Sequence, residues 1–262
     1  DVHHYPDTHL TAYLDSRHFD VVGVSVVGGY YQYRKLLALS AAINASKQRP
    51  YYIIGGHGPA PDPVYFMDKT GVDTVVIGEG EDTIVELLEA IGDPTRLAKV
   101  KGTAYRDGGQ VIVNERRPLI ADIDSIPMPA YDLFPMQYYR LLRMPHTTNR
   151  DFVAWMLGGR GCPFTCNFCF RLVPGLRQRS SEGILAEVGL LQRDYGITHV
   201  SFSDELLMSS VARTAELCEA FLRSGLRFTW DCNGRLNYAR ADVLSLMKRA
   251  GCVFINYGIE SM

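Results

Sequence analysis

Short apolar runs separated by amphipathic stretches recur along the first 95 residues. The run at 21–27, Val-Val-Gly-Val-Ser-Val-Val, has the continuity of a buried strand. A helical pattern follows over about 31–47, then a strand at 51–54 that ends in Gly55-Gly56. A short helix around 63–69 leads to a strand at 73–77, and Gly78-Glu79-Gly80-Glu81 opens a helix through about 91. This β-α-β-α-β-α order predicts a parallel sheet covered by helices. Ligands of such sheets sit beyond the carboxyl ends of the strands. The segments at those ends, 25–29, 55–59 and 78–81, are small or glycine-rich.

The pattern breaks over 96–150. Residues 103–106 and 110–114, joined through Asp107-Gly108-Gly109, read as a β-hairpin. The proline-rich stretch at 126–135 reads as an ordered linker. From Phe152 the alternation restarts, with strands expected at 152–157, 199–202, 227–231 and 253–257. Apolar stripes such as Ile184, Val188, Leu191 and Tyr195 mark the helices between them. Four βα units here predict a barrel or part-barrel. The organisation expected is therefore an α/β domain at 1–95, a hairpin and linker at 96–150, and a partial barrel at 151–262. Both domains look cut short, the first by one βα unit and the second by its later strands.

Composition narrows the class without naming it. With 47% hydrophobic and 21% charged residues the chain is a globular type. A net charge of −2 gives no electrostatic case for nucleic acid or an anionic membrane. No apolar run approaches the roughly 20 residues of a membrane span. Six cysteines, three of them in one loop, do not form a secreted disulfide framework and point to a reducing, cytoplasmic setting.

That loop is Cys162-Pro-Phe-Thr-Cys166-Asn-Phe-Cys169, placed directly after a strand. Three soft ligands can hold three corners of an iron–sulfur cluster and leave one iron open for a substrate. The same three thiols with a distant fourth ligand could hold structural zinc. The Cys-x3-Cys-x2-Cys spacing after the first strand of a βα barrel resembles the signature of the radical S-adenosylmethionine (SAM) superfamily. The flanks Arg160-Gly161 and Phe170-Arg171 resemble that family as well. The resemblance implies a [4Fe-4S] cluster on Cys162, Cys166 and Cys169. It implies that SAM binds the open iron and is cleaved reductively to a 5′-deoxyadenosyl radical.

By the same resemblance Phe168 lies near the SAM adenine; core packing of the loop is its alternative. Asp204 and Glu205 close the second strand where family members present a carboxylate to the SAM amino group. A helix N-cap is the alternative there, and the sequence does not choose between the two acids. Arg235, Glu260 and Ser261 end the next two strands and resemble segments that line the SAM site, with a surface arginine the alternative for Arg235. Cys218 and Cys252 read as buried small hydrophobes, as does Cys232 despite its place at a strand end.

The first domain resembles the cobalamin-binding domain of cobalamin-dependent radical SAM enzymes, a Rossmann-like parallel sheet. Ser25-Val26-Val27 and Gly55-Gly56 resemble its Ser-x-Leu and Gly-Gly elements, with valine in place of leucine. Gly78-Glu79-Gly80-Glu81 resembles its glycine-rich turn, so Ser25, Gly55, Gly56, Gly78 and Gly80 are the expected cobalamin contacts. His3 sits too close to Ser25 to be the cobalt ligand. His57 is a candidate corrin contact or a plain loop histidine. Gly78-x-Gly80 is a poor dinucleotide motif, because the acids around it would repel a pyrophosphate.

The family implies methyl transfer to an unactivated carbon of a small-molecule or peptide substrate, with electrons from a flavodoxin or ferredoxin. Three alternatives stay open: oxidative cyclisation or rearrangement of a tetrapyrrole-like substrate, a radical SAM enzyme whose first domain binds nothing, and a non-catalytic zinc-stabilised or cobalamin-carrier module. Methylthiotransferases are disfavoured, because no cysteine precedes Cys162. The fragment alone is expected to be inactive.

Overall fold

A computed structural model of the chain describes residues 8–169 and 174–259. It divides into two compact units, the first ending at Ile120 and the second beginning at Ala121.

The first unit runs α1 (Thr8–Asp15), β1 (Val21–Ser25), α2 (Tyr30–Asn44), β2 (Tyr51–Gly55), α3 (Pro63–Thr70), β3 (Thr74–Val76), α4 (Glu81–Ala90), α5 (Pro94–Leu97), β4 (Thr103–Asp107) and β5 (Gln110–Val113). The sheet order is β1-β2-β3-β4-β5. The first three strands are parallel, in a register that sets Ser25 beside Gly55. Alternation along β2 divides the layers. Ile53 packs with Val76, Leu87 and Ala90 on the α4 side. Tyr52 turns to the other face, where its hydroxyl meets Ser40 of α2 at 2.8 Å. Asp62 caps α3 by accepting from the Tyr65 amide, and Pro63 fills the first turn, where no amide donor is missed.

Two sequence expectations change here. The valine run at 21–27 is not a buried strand: β1 stops at Ser25 and is an edge strand, its residues half-buried or exposed. Valine content fits a pleated surface, and a single neighbouring strand leaves such a surface partly bare. The hairpin also belongs to this sheet, because β4 pairs antiparallel with β3.

The second unit runs α6 (Met136–Tyr139), β6 (Val153–Met156), β7 (Gly159–Cys162), β8 (Gly175–Gln178), α7 (Ser181–Tyr195), β9 (His199–Phe202), α8 (Val211–Ser224), β10 (Thr229–Gly234), α9 (Ala241–Arg249) and β11 (Cys252–Tyr257). Strands β11-β10-β9-β6 form a parallel sheet. Phe202, Trp230 and Cys232 on its helix-covered face join Ile184 and Leu191 of α7, Phe221 of α8 and Met247 of α9 in one core. Trp230 is wholly buried, and its Nε1 donates to the Ala250 carbonyl at 2.8 Å. Ser180 and Ser210 cap α7 and α8 through the amides of Gly183 and Arg213. Residues on the opposite parity, His199, Ser201, Asp231 and Asn233, line the other face of the sheet.

The proline-rich stretch is ordered and bound to this unit. Asp124 accepts from the Ser180 amide at 2.6 Å, and the Tyr131 hydroxyl donates to Glu187, which also pairs with Arg179. The ribbon of β7 and β8 was not anticipated; its glycines and charged residues carry no strand period.

Candidate functional site

The cysteine loop leaves the sheet through a tight neck. β7 pairs antiparallel with β8, so Cys162 stands opposite Gly175. Gly161 has φ +84°, and a Cβ there would lie 2.3 Å from the Gly175 carbonyl oxygen, so only glycine lets the two backbones meet. The loop then turns back on itself, with the Cys169 amide donating to the Cys166 carbonyl at 3.3 Å. Cys162 and Cys166 are half-buried, Cys169 is exposed, and none of the six cysteines is in a disulfide.

The three thiols share one cavity of about 540 Å³ with Phe168, Glu205 and Arg235. Asn233, Asn256 and Gly258, at the carboxyl ends of β10 and β11, complete that wall. The Arg235 guanidinium lies 3.9 Å from the Phe164 ring centroid, and its Nη1 donates to Cys166 Sγ at 3.6 Å. Phe168 is 62% exposed, so it is a wall of the cavity and not part of the core.

The two adjacent acids part company. Glu205 is exposed and lines the cavity. Asp204 is buried, and its Oδ2 accepts the Gly158 amide at 2.8 Å. It is not a helix cap; the following helix is capped by Ser210. Burial pushes its carboxyl up to about 6, while the amides of Gly158 and Gly159 and the Arg179 charge oppose that rise. Asn233 Nδ2 donates to the Asp204 carbonyl at 2.8 Å, and Asn256 Nδ2 to Asn233 Oδ1 at 3.1 Å. This amide ladder, which the sequence reading missed, fixes the strand ends behind the cavity. Glu260, Ser261 and the flank Phe170-Arg171 lie outside the described residues, as does His3.

Cys218, Cys232 and Cys252 are buried in the core, away from the loop. Burial pushes the Cys218 thiol up to about 12, the setting of an inert thiol.

In the first unit, the carboxyl ends of β1, β2 and β3 bring the predicted small residues to one edge of the sheet. A Cβ on Gly56 (φ +96°) would lie 2.5 Å from the Val26 carbonyl and 3.1 Å from Ser25 Oγ, so the backbones cross there at glycine distance. Gly78, two residues beyond β3, has φ +91° with open space where a Cβ would be, and Gly80 caps α4. Glu79 is engaged with the backbone, its Oε2 accepting from the Ile120 amide at 2.8 Å. His57 is exposed. Among the described residues no helix is long and apolar enough to cross a membrane.

Comparison with known proteins agrees with both units. Residues 1–88 match the B12 binding domain family, and residues 156–262 match the radical SAM superfamily. An uncharacterized methyltransferase of Pyrococcus horikoshii is 31% identical over 247 residues, covering 92% of this chain and 52% of its own length. The anaerobic magnesium-protoporphyrin IX monomethyl ester cyclase of Rubrivivax gelatinosus is 26% identical over 252 residues, 92% of this chain and 44% of the cyclase. The chain thus spans about half the length of these relatives. Among solved structures, the cobalamin-dependent SAM radical enzyme OxsB, with aqua-cobalamin and SAM bound, superposes with a TM-score of 0.76 over 98% of this chain and 37% of its own. At 19% identity that likeness establishes a shared fold. The chain belongs to the radical SAM superfamily, in the branch that carries a B12-binding domain.

Proposed function

We propose that the chain is the core of a cobalamin-dependent radical SAM methyltransferase. The observation that carries this reading is the single cavity on which three thiols, Phe168, Glu205 and Arg235 converge at the carboxyl ends of the barrel strands. The donor set fits the cluster: three sulfur ligands within eight residues, steadied by a cation at Cys166, suit iron–sulfur ligation. At the strand ends Gly56 lets the β1 and β2 backbones cross closely, and Gly78 leaves open space where a side chain would stand, an edge that fits the nucleotide tail of a cobalamin.

When bound, the [4Fe-4S] cluster supplies the electron for reductive cleavage of SAM, and cobalamin supplies a methyl carrier. The protein's part is to hold and orient. Cys162, Cys166 and Cys169 are assigned as cluster ligands. Phe168 offers a face for an adenine ring. Glu205 is assigned to pair with the SAM ammonium and Arg235 with its carboxylate, both as charge-assisted hydrogen bonds. Asp204 positions the turn before the loop and does not touch SAM. Glu260 and Ser261 are assigned to the SAM site on sequence alone, and Ser25, Gly55, Gly56, Gly78 and Gly80 to cobalamin. The substrate is a small molecule or peptide, the electron comes from a flavodoxin- or ferredoxin-type donor, and the reduced thiols suit the cytoplasm. Oxidative cyclisation is the second reading, favoured by the 26% identity to the R. gelatinosus cyclase over most of this chain.

The test is reconstitution of the full-length protein with iron, sulfide and hydroxocobalamin, followed by SAM under reduction. A brown protein that releases 5′-deoxyadenosine is expected. Production that persists after Cys162, Cys166 and Cys169 are all changed to alanine overturns the mechanism. A colourless protein that holds zinc instead supports the non-catalytic module. Cobalamin retention is scored separately, and its absence would make the first unit a scaffold.

A further inference from the structure

Three side chains outside the cysteine loop converge on the inner face of the barrel sheet, toward its amino-terminal end. His199 opens β9, Asp231 lies on the neighbouring β10, and His146 comes from the segment ahead of β6. His199 Nε2 and His146 Nε2 stand 2.8 and 2.9 Å from the same atom, Asp231 Oδ2. One ligand atom from each of the three lies within 4.8 Å of the other two; His199 and Asp231 are buried and His146 half-buried. Each group is also held from behind. Ser201 Oγ donates to the second Asp231 oxygen at 3.0 Å, and His199 Nδ1 meets Thr229 Oγ1 at 2.8 Å. The His146 ring lies flat on Phe254, with centroids 4.3 Å apart and planes 1° from parallel.

Two imidazoles and a carboxylate are a donor set for zinc and related divalent ions. Partners on the far ring nitrogen and the far carboxylate oxygen are the outer shell that such sites use to aim their ligands. We propose that His146, His199 and Asp231 form a zinc-type divalent metal site at the amino-terminal end of the barrel sheet, separate from the three-cysteine loop. The two sites are neighbours along β10 and β11: Asp231 and Phe254 each lie two residues before an asparagine, Asn233 or Asn256, that lines the cysteine cavity.

The chemistry balances without an added reagent. Ligand atoms about 2.0 Å from a tetrahedral zinc lie about 3.3 Å from one another, so the two contacts to Asp231 need open by about half an ångström, with the two imidazole nitrogens, now within 4.8 Å, brought to the same spacing. Ligation through Nε2 requires each ring to carry its proton on Nδ1, and at His199 the Thr229 hydroxyl oxygen, 2.8 Å away, is placed to accept that N–H. Asp231 is already the anion: burial pushes its carboxyl up, but the hydrogen bonds from His199, His146 and Ser201 hold it below the ordinary value. Three protein ligands leave a fourth position for water. The ion would tie the segment carrying His146 to the ends of β9 and β10.

The test uses the full-length protein with Cys162, Cys166 and Cys169 changed to alanine, so that no cluster thiol competes. It is titrated with zinc alone, and with cobalt(II) as the coloured probe, and bound metal is counted after gel filtration. One ion per chain is expected, with a cobalt spectrum of nitrogen and oxygen ligation and a melting temperature raised by zinc. Adding His146→Gln should weaken binding by about tenfold or more while the circular dichroism stays unchanged. Failure of the folded triple variant to bind either metal at micromolar concentration overturns the proposal and leaves a hydrogen-bonded ion cluster only. Binding unaffected by His146→Gln overturns it as well. Should the triple variant not fold, zinc is measured beside iron in the reconstituted enzyme with and without His146→Gln, and the same two outcomes decide.

Discussion

Replacing Asp204 by asparagine asks whether a carboxylate that costs stability holds the turn that delivers the cysteine loop. Asp204 is 4% exposed, and burial raises its carboxyl from 3.8 to about 6 against the amides of Gly158 and Gly159 and the Arg179 charge. That gap corresponds to about 3 kcal/mol between the two protonation states. The folded chain binds this proton more tightly than the unfolded chain does. Wild-type stability therefore falls as pH rises from 3.8 towards about 6, and the full penalty stands at neutral pH. Near pH 4 the group is protonated in the folded state and a little under half protonated in the unfolded chain, so only about 0.6 kcal/mol of the penalty remains. Asparagine keeps an oxygen for the Gly158 amide and carries no charge, so its variant lacks this pH-dependent component. Urea unfolding of the reduced, metal-free full-length protein near pH 4 and near pH 7 gives two differences between variant and wild type. Changes in hydrogen bonding that do not titrate cancel between them. The difference should move in the variant's favour by about 2.4 kcal/mol from the lower pH to the higher. A movement under about 1 kcal/mol would refute the claim that burial dominates this carboxylate. The variant should also load less iron, because a neutral acceptor grips the Gly158-Gly159 turn less firmly than an anion does.

Glu205→Gln should weaken SAM binding by about tenfold, the worth of one charge-assisted hydrogen bond, with iron content unchanged by metal analysis. Loss of iron with SAM affinity intact would reverse the roles given to Glu205 and Asp204. Gly161→Ala puts a Cβ against the Gly175 carbonyl at a φ of +84°. It should cost about 1–3 kcal/mol in thermal or urea unfolding and lower the iron retained on reconstitution. Wild-type values of both would show that the neck does not govern the loop.

Much of the fold was legible because burial follows period. The strand at 199–202 was found to the residue, and β6, β10 and β11 to within a few. The valine run of β1 misled because continuity of apolar residues reports strand character, not the number of neighbours; one partner strand leaves it half-exposed. The β7–β8 ribbon was illegible for the opposite reason. Gly159, Gly161 and Gly175 are there so that two backbones can meet, and residues chosen for missing side chains leave no hydrophobic period to read. Of the candidate site, the thiols were legible by spacing, and the cavity groups the structure describes stand beside them. The histidine–aspartate cluster was not, since 146, 199 and 231 lie on three separate elements. Its only sequence trace is parity: His199 and Asp231 alternate with the core residues Val200, Trp230 and Cys232.

The pair Asp204-Glu205 shows why sequence could locate the acidic position and still not assign it. Past the end of β9 the two adjacent acids point to opposite sides, Asp204 inward and Glu205 into the cavity. Which one turns inward depends on what waits there. Here it is two backbone amides, Gly158 and Gly159, at a turn too tight for side chains: a Cβ on Gly158 would lie 2.6 Å from Leu207 and 3.4 Å from Asp204 itself. An acid in that place satisfies buried donors that would otherwise go unpaired, and it is desolvated in doing so. The next residue is then left on the wet side, facing the thiols, where its charge remains available to a cationic ligand. The first acid thus fixes the geometry that keeps the second one exposed, and a swap of their side chains would not exchange their roles.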